Sequence, residues 1–362
     1  MPSLAVVQRE AASAPTSMWM VKSRFMRALA AGGLTTAVAL GAPVAASATI
    51  AFVRGLEKPS VWLAANNGSG QRRLSLGTSP HIAPDGSTIA FMSFTGSGPA
   101  TPRLMLIGAG GGTPRLLASG WRAPYVFAFS PDSGMIATVL GPEVGKEHLV
   151  LIDVENDSQR TIATGYFGGV SFSPNGESLV YSISPSERYP SNSDIYRAAV
   201  AGGSPVALTH NHRSLTPLWG PSGKIVFVEQ LDAKRRLYGP KNELFTMNPS
   251  GGSVRQLTHT VVSALLQGLT PTQFSANGSR LLAEFGGQDT SYAVTVNPAT
   301  GAQRPVGMAK GFVATALSAN GRTILGFTGF LGSGLHNICT AAYAGGPLKR
   351  LIRNGYEPSW NG

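Results

Sequence analysis

The chain has 362 residues and one cysteine, Cys339, so no intrachain disulfide can form, and no Cys-His cluster has zinc-ligand spacing. Charge is scarce: 13% of residues carry it, with 18 Asp and Glu against 29 Lys and Arg, a formal net charge of +11. With 43% apolar residues, so little charge excludes a disordered chain. No long Lys/Arg run occurs, so the basic balance reads as solubility, and nucleic acid is not an expected partner. Outside the N-terminal 48 residues, no apolar stretch is long enough to cross a bilayer. No G-x-S-x-G occurs either, so the nucleophile motif of the serine hydrolases is missing. Turn residues, by contrast, are abundant. The 45 Gly and 25 Pro fit many short strands joined by tight turns.

Lys22, Arg24 and Arg27 precede an uncharged apolar run from Ala28 to Ala46, and Ala46-Ser47-Ala48 has the small-x-small pattern of a cleavage site. These features predict a secretory signal peptide over residues 1–48, with Thr49 as the mature start. Met1 to Thr16 has no signal character, which places the true start nearer Met18, Met20 or Met26. The alternative is an uncleaved membrane anchor, since the run is long enough to span a bilayer. No cysteine follows it, so lipid attachment there is excluded. The expected location is extracytoplasmic, periplasmic or secreted, with no transmembrane segment after cleavage. Arg9, Lys22, Arg24 and Arg27 against Glu10 make the first 48 residues net +3, leaving +8 on the body. A body of that sign favours anionic partners.

The body is a repeat. Val170 to Ile183 reads as strand, Ser173-Pro174-Asn175-Gly176 turn, strand: Pro pre-sets φ and Asn-Gly tolerates φ > 0. The position of Phe172 is filled in turn by Ile82, Phe129, Phe172, Trp219, Phe274, Leu317 and Trp360, at spacings of 47, 43, 47, 55, 43 and 43. Turns follow six of them, centred on Asp85-Gly86, Asp132-Ser133, Asn175-Gly176, Ser222-Gly223, Asn277-Gly278 and Asn320-Gly321. A second apolar strand comes after each, such as Ser178-Leu179-Val180-Tyr181. A second hairpin then turns at Asn67-Gly68, Gly111-Gly112, Asn156-Asp157, Gly202-Gly203, Gly251-Gly252, Thr300-Gly301 and Gly345-Gly346. Four strands per unit, A to D, at a period of about 40–55 residues is the signature of a β-propeller. Thr49-Ile50-Ala51-Phe52-Val53 resembles a B strand lacking its A strand, and Trp360 lies in an A strand lacking its blade. The expected fold is all-β: a seven-bladed propeller of four-stranded antiparallel blades over residues 49–362, its ring closed by pairing of the terminal strands. The seven column residues are expected to pack between blades.

The Ser-Pro-Asp/Asn-Gly turns, the aromatic three residues before them, and Leu208-Thr209-His210 and Leu257-Thr258-His259 closing D strands resemble the TolB-type propeller repeats, periplasmic relatives of WD-repeat blades. The resemblance covers nearly all of residues 49–362 and implies the fold. It does not imply one activity, because the fold hosts binding modules, peptidase gating domains and a few lyases. The chain leaves no room for the small α/β domain that precedes the TolB propeller, so a Tol-Pal role is not implied.

Local motifs read mostly as turns. Gly108 to Gly112 lacks Rossmann spacing and falls in a C–D hairpin slot. Asp153, Glu155 and Asp157 alternate as calcium ligands can, but no Gly or closing Glu completes a loop. The sequons Asn67-Gly68-Ser69 and Asn277-Gly278-Ser279 are explained by φ > 0 in tight turns. Cys339 lies in an apolar strand and reads as a buried small residue. His210 and His259 end successive D strands and share one face, where histidines could hold a metal, but neither they nor His212 have a visible carboxylate partner.

A–B and C–D turns share one face of the disc and are short; the longer, variable B–C and D–A connections share the other. Variable loops on a rigid scaffold are where binding residues concentrate. The candidate contact residues on that face are Trp121, Arg122, Tyr166, Phe167, His210, His212, Arg213, Lys234, Arg235, Arg236 and His259, with Lys241 completing the densest basic cluster. The expected function is non-catalytic binding of a protein or an anionic cell-envelope ligand by a monomer, with no cofactor or metal. The alternative is a propeller enzyme, lyase or hydrolase, acting on an anionic polymer.

Overall fold

A computed structural model describes residues 49–95, 101–119, 127–141, 147–185, 192–232, 239–262, 266–287, 290–329 and 336–361. The predicted signal segment, Trp121, Arg122, Lys234, Arg235 and Arg236 lie outside the described residues.

The chain begins with β1 (Thr49–Arg54), β2 (Ser60–Ala65) and β3 (Arg72–Leu76), then β4 (Thr78–Ile82), β5 (Thr88–Thr95), β6 (Thr101–Gly108) and β7 (Arg115–Ser119). Next come β8 (Phe127–Phe129), β9 (Met135–Leu140), β10 (His148–Asp153) and β11 (Gln159–Thr164), followed by β12 (Tyr166–Phe172), β13 (Ser178–Ser184), β14 (Asp194–Ala199) and β15 (Val206–Ala207). Then follow β16 (Ser214–Trp219), β17 (Ile225–Leu231), β18 (Lys241–Met247) and β19 (Arg255–Gln256), and β20 (Leu266–Phe274), β21 (Leu281–Gly287), β22 (Ser291–Val296) and β23 (Gln303–Val306). The last are β24 (Val313–Leu317), β25 (Thr323–Thr328), β26 (Asn337–Ala342), β27 (Lys349–Arg353) and β28 (Tyr356–Trp360). Among the described residues there is no α-helix, only a 3-10 turn at Met308–Lys310.

Five sheets have four strands each, paired antiparallel in chain order, and one of them has the order β28-β1-β2-β3. The pairing of β1 with β28 sets Ile50 opposite Trp360 and Val53 opposite Tyr356, and Thr49 N–H donates to Asn361 Oδ1 at 2.8 Å. One junction departs from separate four-stranded blades. β18 and β20 bridge in parallel at Asn242 and Gly268, which joins two groups of four into one eight-stranded sheet. Gly268 permits the approach: its φ is +109°, and a Cβ there would lie 2.3 Å from the Asn242 carbonyl oxygen.

The repeated serine explains why the turns recur. In four of them it is buried, and its hydroxyl donates to the Asp or Asn two residues on: Ser130 to Asp132, Ser173 to Asn175, Ser275 to Asn277 and Ser318 to Asn320, at 2.5 to 2.9 Å. The same oxygen accepts the backbone N–H five residues on, from Met135, Ser178, Arg280 and Thr323. One hydroxyl thus closes the hairpin and orients the Asx side chain that caps it. The Ser130 bond is the main reason the Asp132 carboxyl sits below the usual range.

The seven column residues lie in seven different core clusters. Ile82 packs with Phe91, Phe129 with Ile136, Phe172 with Tyr181, Trp219 with Phe227, Phe274 with Leu281, Leu317 with Phe312, and Trp360 with Phe52. The residue before the column latches neighbouring innermost strands. Ser359 Oγ accepts Ile82 N–H at 3.0 Å, Ser171 Oγ accepts Trp219 N–H at 3.0 Å, and Gln273 Oε1 accepts Leu317 N–H at 2.7 Å. At the outer edge, arginines do similar work: Arg72, Arg115, Arg160 and Arg304 donate to the carbonyls of Ala109, Val154, Val200 and Ala344 in the following group. Part of the chain's positive charge is therefore structural.

Candidate functional site

Two D–A connections are pinned by the same clasp, and it explains the Leu-Thr-His motif. The buried Thr209 hydroxyl donates to Asp194 Oδ1 at 2.9 Å and accepts Ile195 N–H at 2.9 Å. One repeat on, Thr258 donates to Glu243 Oε2 at 2.6 Å and accepts Leu244 N–H at 2.9 Å. Each carboxylate then reaches into the loop. Asp194 accepts His212 N–H at 3.1 Å and pairs with His212 Nδ1 at 2.7 Å. Glu243 accepts Thr260 N–H at 2.6 Å and pairs with Lys241 Nζ at 2.6 Å. His210 and His259 are exposed, so the threonine, not the histidine, is the holding part of the motif.

A third buried carboxylate, Glu229, lies directly opposite Glu243 in the β17–β18 register and takes Arg213 Nη2 at 2.7 Å. Like charges across a strand pair repel; Arg213 and Lys241 offset them. The outward side of the assembly presents the His212 and Arg213 heads. The His212 side chain is 68% exposed and Arg213 52%, over partners that are 10% and 7% exposed. Loops held this way present their polar heads in fixed positions, which lowers the entropic cost of binding.

Several site expectations are corrected by this geometry. His212 has a carboxylate partner, Asp194, 18 residues upstream and delivered by the β14–β15 hairpin. Lys241 does not join a solvated basic cluster, because it is paired with fully buried Glu243. Tyr166 is 7% exposed rather than open to a partner, and Phe167, half-buried, packs tilted on Tyr181 with ring centroids 6.0 Å apart. Asp153 Oδ1 accepts the N–H groups of Glu155 and Asn156, and Asp157 pairs with Arg115, so this acidic run is turn chemistry, as expected. Cys339 is buried in β26, and burial pushes its thiol pKa up.

A second feature went unread in the sequence. Residues of β4, β20, β21, β24 and β28 line a cavity of about 730 Å³ that includes His81, Gln273, Glu284 and Glu357. Ser79, Thr216 and Glu357 each stand three residues before the column and hold left-handed φ values of 49°, 48° and 47°. Such a backbone costs a non-glycine residue about 1–3 kcal/mol. Ser79 N–H donates to Glu357 Oε2 at 2.9 Å and Thr216 N–H to Ser182 Oγ at 3.1 Å, which over-determines the strained turns. His81 is exposed to the cavity but surrounded by its walls, and that enclosure pushes its pKa down from about 6.5 toward about 4. Aligning the positions one and three before the column would have found His81 and Glu357. The sixth histidine, His336, is 3% exposed and packs against Phe327 and Tyr356, a core residue. Among the described residues, no three His, Cys, Asp or Glu side chains converge as a metal site.

No family model matches the chain, and no curated protein matches it. Solved structures do. TolB from Acinetobacter baumannii is 16% identical with a TM-score of 0.55, over 87% of this chain and 83% of its own. The β-propeller domain of the Trilobed protease from Pyrococcus furiosus is 13% identical with a TM-score of 0.62, over 85% and 95%. An oligogalacturonate lyase in complex with manganese is 13% identical with a TM-score of 0.56, over 84% of each chain. At these identities the likeness is one of fold. With its four-stranded antiparallel sheets, joined by recurrent hairpin turns of the Ser173-Pro174-Asn175-Gly176 kind, the chain has the fold of the TolB-type β-propellers.

Proposed function

We propose that this protein is a seven-bladed propeller, its ring closed by β28 against β1, that works outside the cytoplasm as a monomeric, non-catalytic binding module. Seven column residues in seven separate clusters support the blade count. The basic, then apolar, then Ala46-Ser47-Ala48 order of residues 1–48 supports export. The face of B–C and D–A connections takes a protein or an anionic envelope ligand. One observation carries this reading: Asp194, Glu229 and Glu243 are spent on fixing loops, and what they leave outward is His212 and Arg213. Buried carboxylates engaged in this way are poor general acids or bases, and rigid loops with outward-facing hydrogen-bond donors suit recognition. In the sequence, Trp121, Arg122, Lys234, Arg235 and Arg236 belong to the same set of connections.

The test is capture of partners from envelope extract by wild type and by a His212→Gln, Arg213→Gln variant, in which residue 213 can still donate to Glu229. Capture lost by a variant that circular dichroism shows to be still folded at the assay temperature, though melting lower because Glu229 loses its counter-charge, supports the loop face. Capture lost instead on changing an exposed A–B turn cation, Lys224→Gln, refutes it. A second reading has its own observation, the strained Ser79 and Glu357 beside His81 in the inner-strand cavity. Turnover of an acidic polysaccharide, abolished by Glu357→Gln, would replace the binding reading with a hydrolase or lyase.

A further inference from the structure

Five junctions between neighbouring groups of strands are crossed by an arginine that donates to a carbonyl: Arg72 to Ala109, Arg115 to Val154, Arg160 to Val200, Arg197 to Pro249 and Arg304 to Ala344. The junction between the β24–β27 sheet and the β28-β1-β2-β3 sheet is crossed from the other side, by Arg54 of β1 donating to the carbonyls of Arg353 and Asn354 at 3.1 Å each, which leaves the cations of the β24–β27 group outside the latch. Here β27 opens with Lys349 and Arg350, and Arg322 stands in the turn between β24 and β25. Among the described residues, no hydrogen bond or ion pair engages any of these three exposed side chains. Together they line a cavity of about 670 Å³ with Asn66, Asn67 and Thr340, and no Asp or Glu lines it. Asn67 Oδ1 is taken by the Ser69 N–H and hydroxyl, which leaves the amide nitrogen to donate elsewhere.

We propose that this cavity is an anion site for a phosphate group carrying two or more negative charges, free or as an ester. Three cations with no local counter-charge repel one another until an anion enters, and a monoanion leaves two of them uncompensated. The uncharged polar lining side chains, the amides of Asn66 and Asn67, the hydroxyls of Thr323 and Thr340 and the Trp360 indole, all have hydrogens to donate, which suits an acceptor-only oxyanion. Arginine matches phosphate oxygens in pairs, and charge-assisted bonds are roughly twice as strong as neutral ones. The site lies among A–B and C–D turns, away from the D–A clasps, so it stands or falls independently of them. The competing account is that Lys349 and Arg350 only blunt the open edge of β27.

Calorimetric titration of the whole protein at low salt decides between these. The probes are inorganic pyrophosphate, glucose 1-phosphate and, as a monoanion, acetate. Pyrophosphate or glucose 1-phosphate is expected to bind at least tenfold more tightly than acetate, and the tighter of the two shows whether the group is free or esterified. Arg322→Gln and Arg350→Gln should each weaken binding about tenfold or more. Lys224→Gln, at an exposed turn cation elsewhere, should leave it unchanged. All three residues are exposed, so each variant is expected to melt like wild type. No binding at millimolar pyrophosphate, acetate binding as tightly, or Lys224→Gln weakening binding as much as Arg350→Gln would each overturn the proposal.

Discussion

Deleting residues 356–362 removes β28, and with it contacts to β1, β4, β24, β25 and β26 at once. Tyr356 is 7% exposed and its hydroxyl donates to the Gly55 carbonyl at 2.9 Å. Trp360 is half-buried among Ile50, Phe52 and Ile352. Losing a fully buried aromatic costs about 3–5 kcal/mol, and a half-buried one about half that. Four further hydrogen bonds disappear: Thr49 N–H to Asn361, Ser79 N–H to Glu357, Ile82 N–H to Ser359, and the Thr315 hydroxyl to the Pro358 carbonyl. At about 1 kcal/mol each, they bring the total near 10 kcal/mol. That is comparable to the roughly 5–15 kcal/mol that holds a typical domain folded. Thermal and urea unfolding followed by circular dichroism should therefore show no cooperative native transition in the truncated protein. Trp360→Ala, which keeps the strand, should fold and lose only about 2 kcal/mol. A truncated protein with the wild-type midpoint would refute the idea that β28 completes the first sheet's share of the core.

Ser173→Ala removes one hydroxyl that both donates to Asn175 and accepts the Ser178 N–H, and should lower stability in urea by about 1–2 kcal/mol; no change would mean that the Pro-Asn-Gly backbone suffices. Enclosure pushes the folded-state pKa of His81 down from its unfolded value near 6.5 toward about 4, so between those pH values the unfolded chain binds more protons. Stability should fall as pH drops through that window, and a His81→Gln variant should show a shallower slope; equal slopes in the two proteins would place the effect elsewhere.

Much of the fold is legible because its signals are local. Gly86, Gly176, Gly223, Gly278 and Gly321 all hold φ between 68° and 82°, at the turns the residue types predict. A serine that closes its own hairpin within five residues leaves a mark that repeats with the blade. The column from Ile82 to Trp360 is visible for the same reason, since each member does the same job in its own cluster. The candidate sites are less legible. Nothing in the sequence ties Asp194 to His212 or Glu229 to Arg213, because those pairs form only after a hairpin or a neighbouring strand carries one partner to the other. Tyr166 looks like a contact residue from its type and loop-proximal position, yet the twist and packing of β12 on β13 bury it.

By itself, then, the sequence determined the secondary structure, the repeat and the placing of turns. Those depend on φ preferences and on side chains that bond within a few residues of themselves. Tertiary structure alone decided which charges are consumed and which are left over. Arg72, Arg115, Arg160 and Arg304 are bound to carbonyls about forty residues away, while Arg322, Lys349 and Arg350 are not. A charge is neutralised by whatever lies within a few ångströms, and only the packing of one group of strands on the next sets what that is.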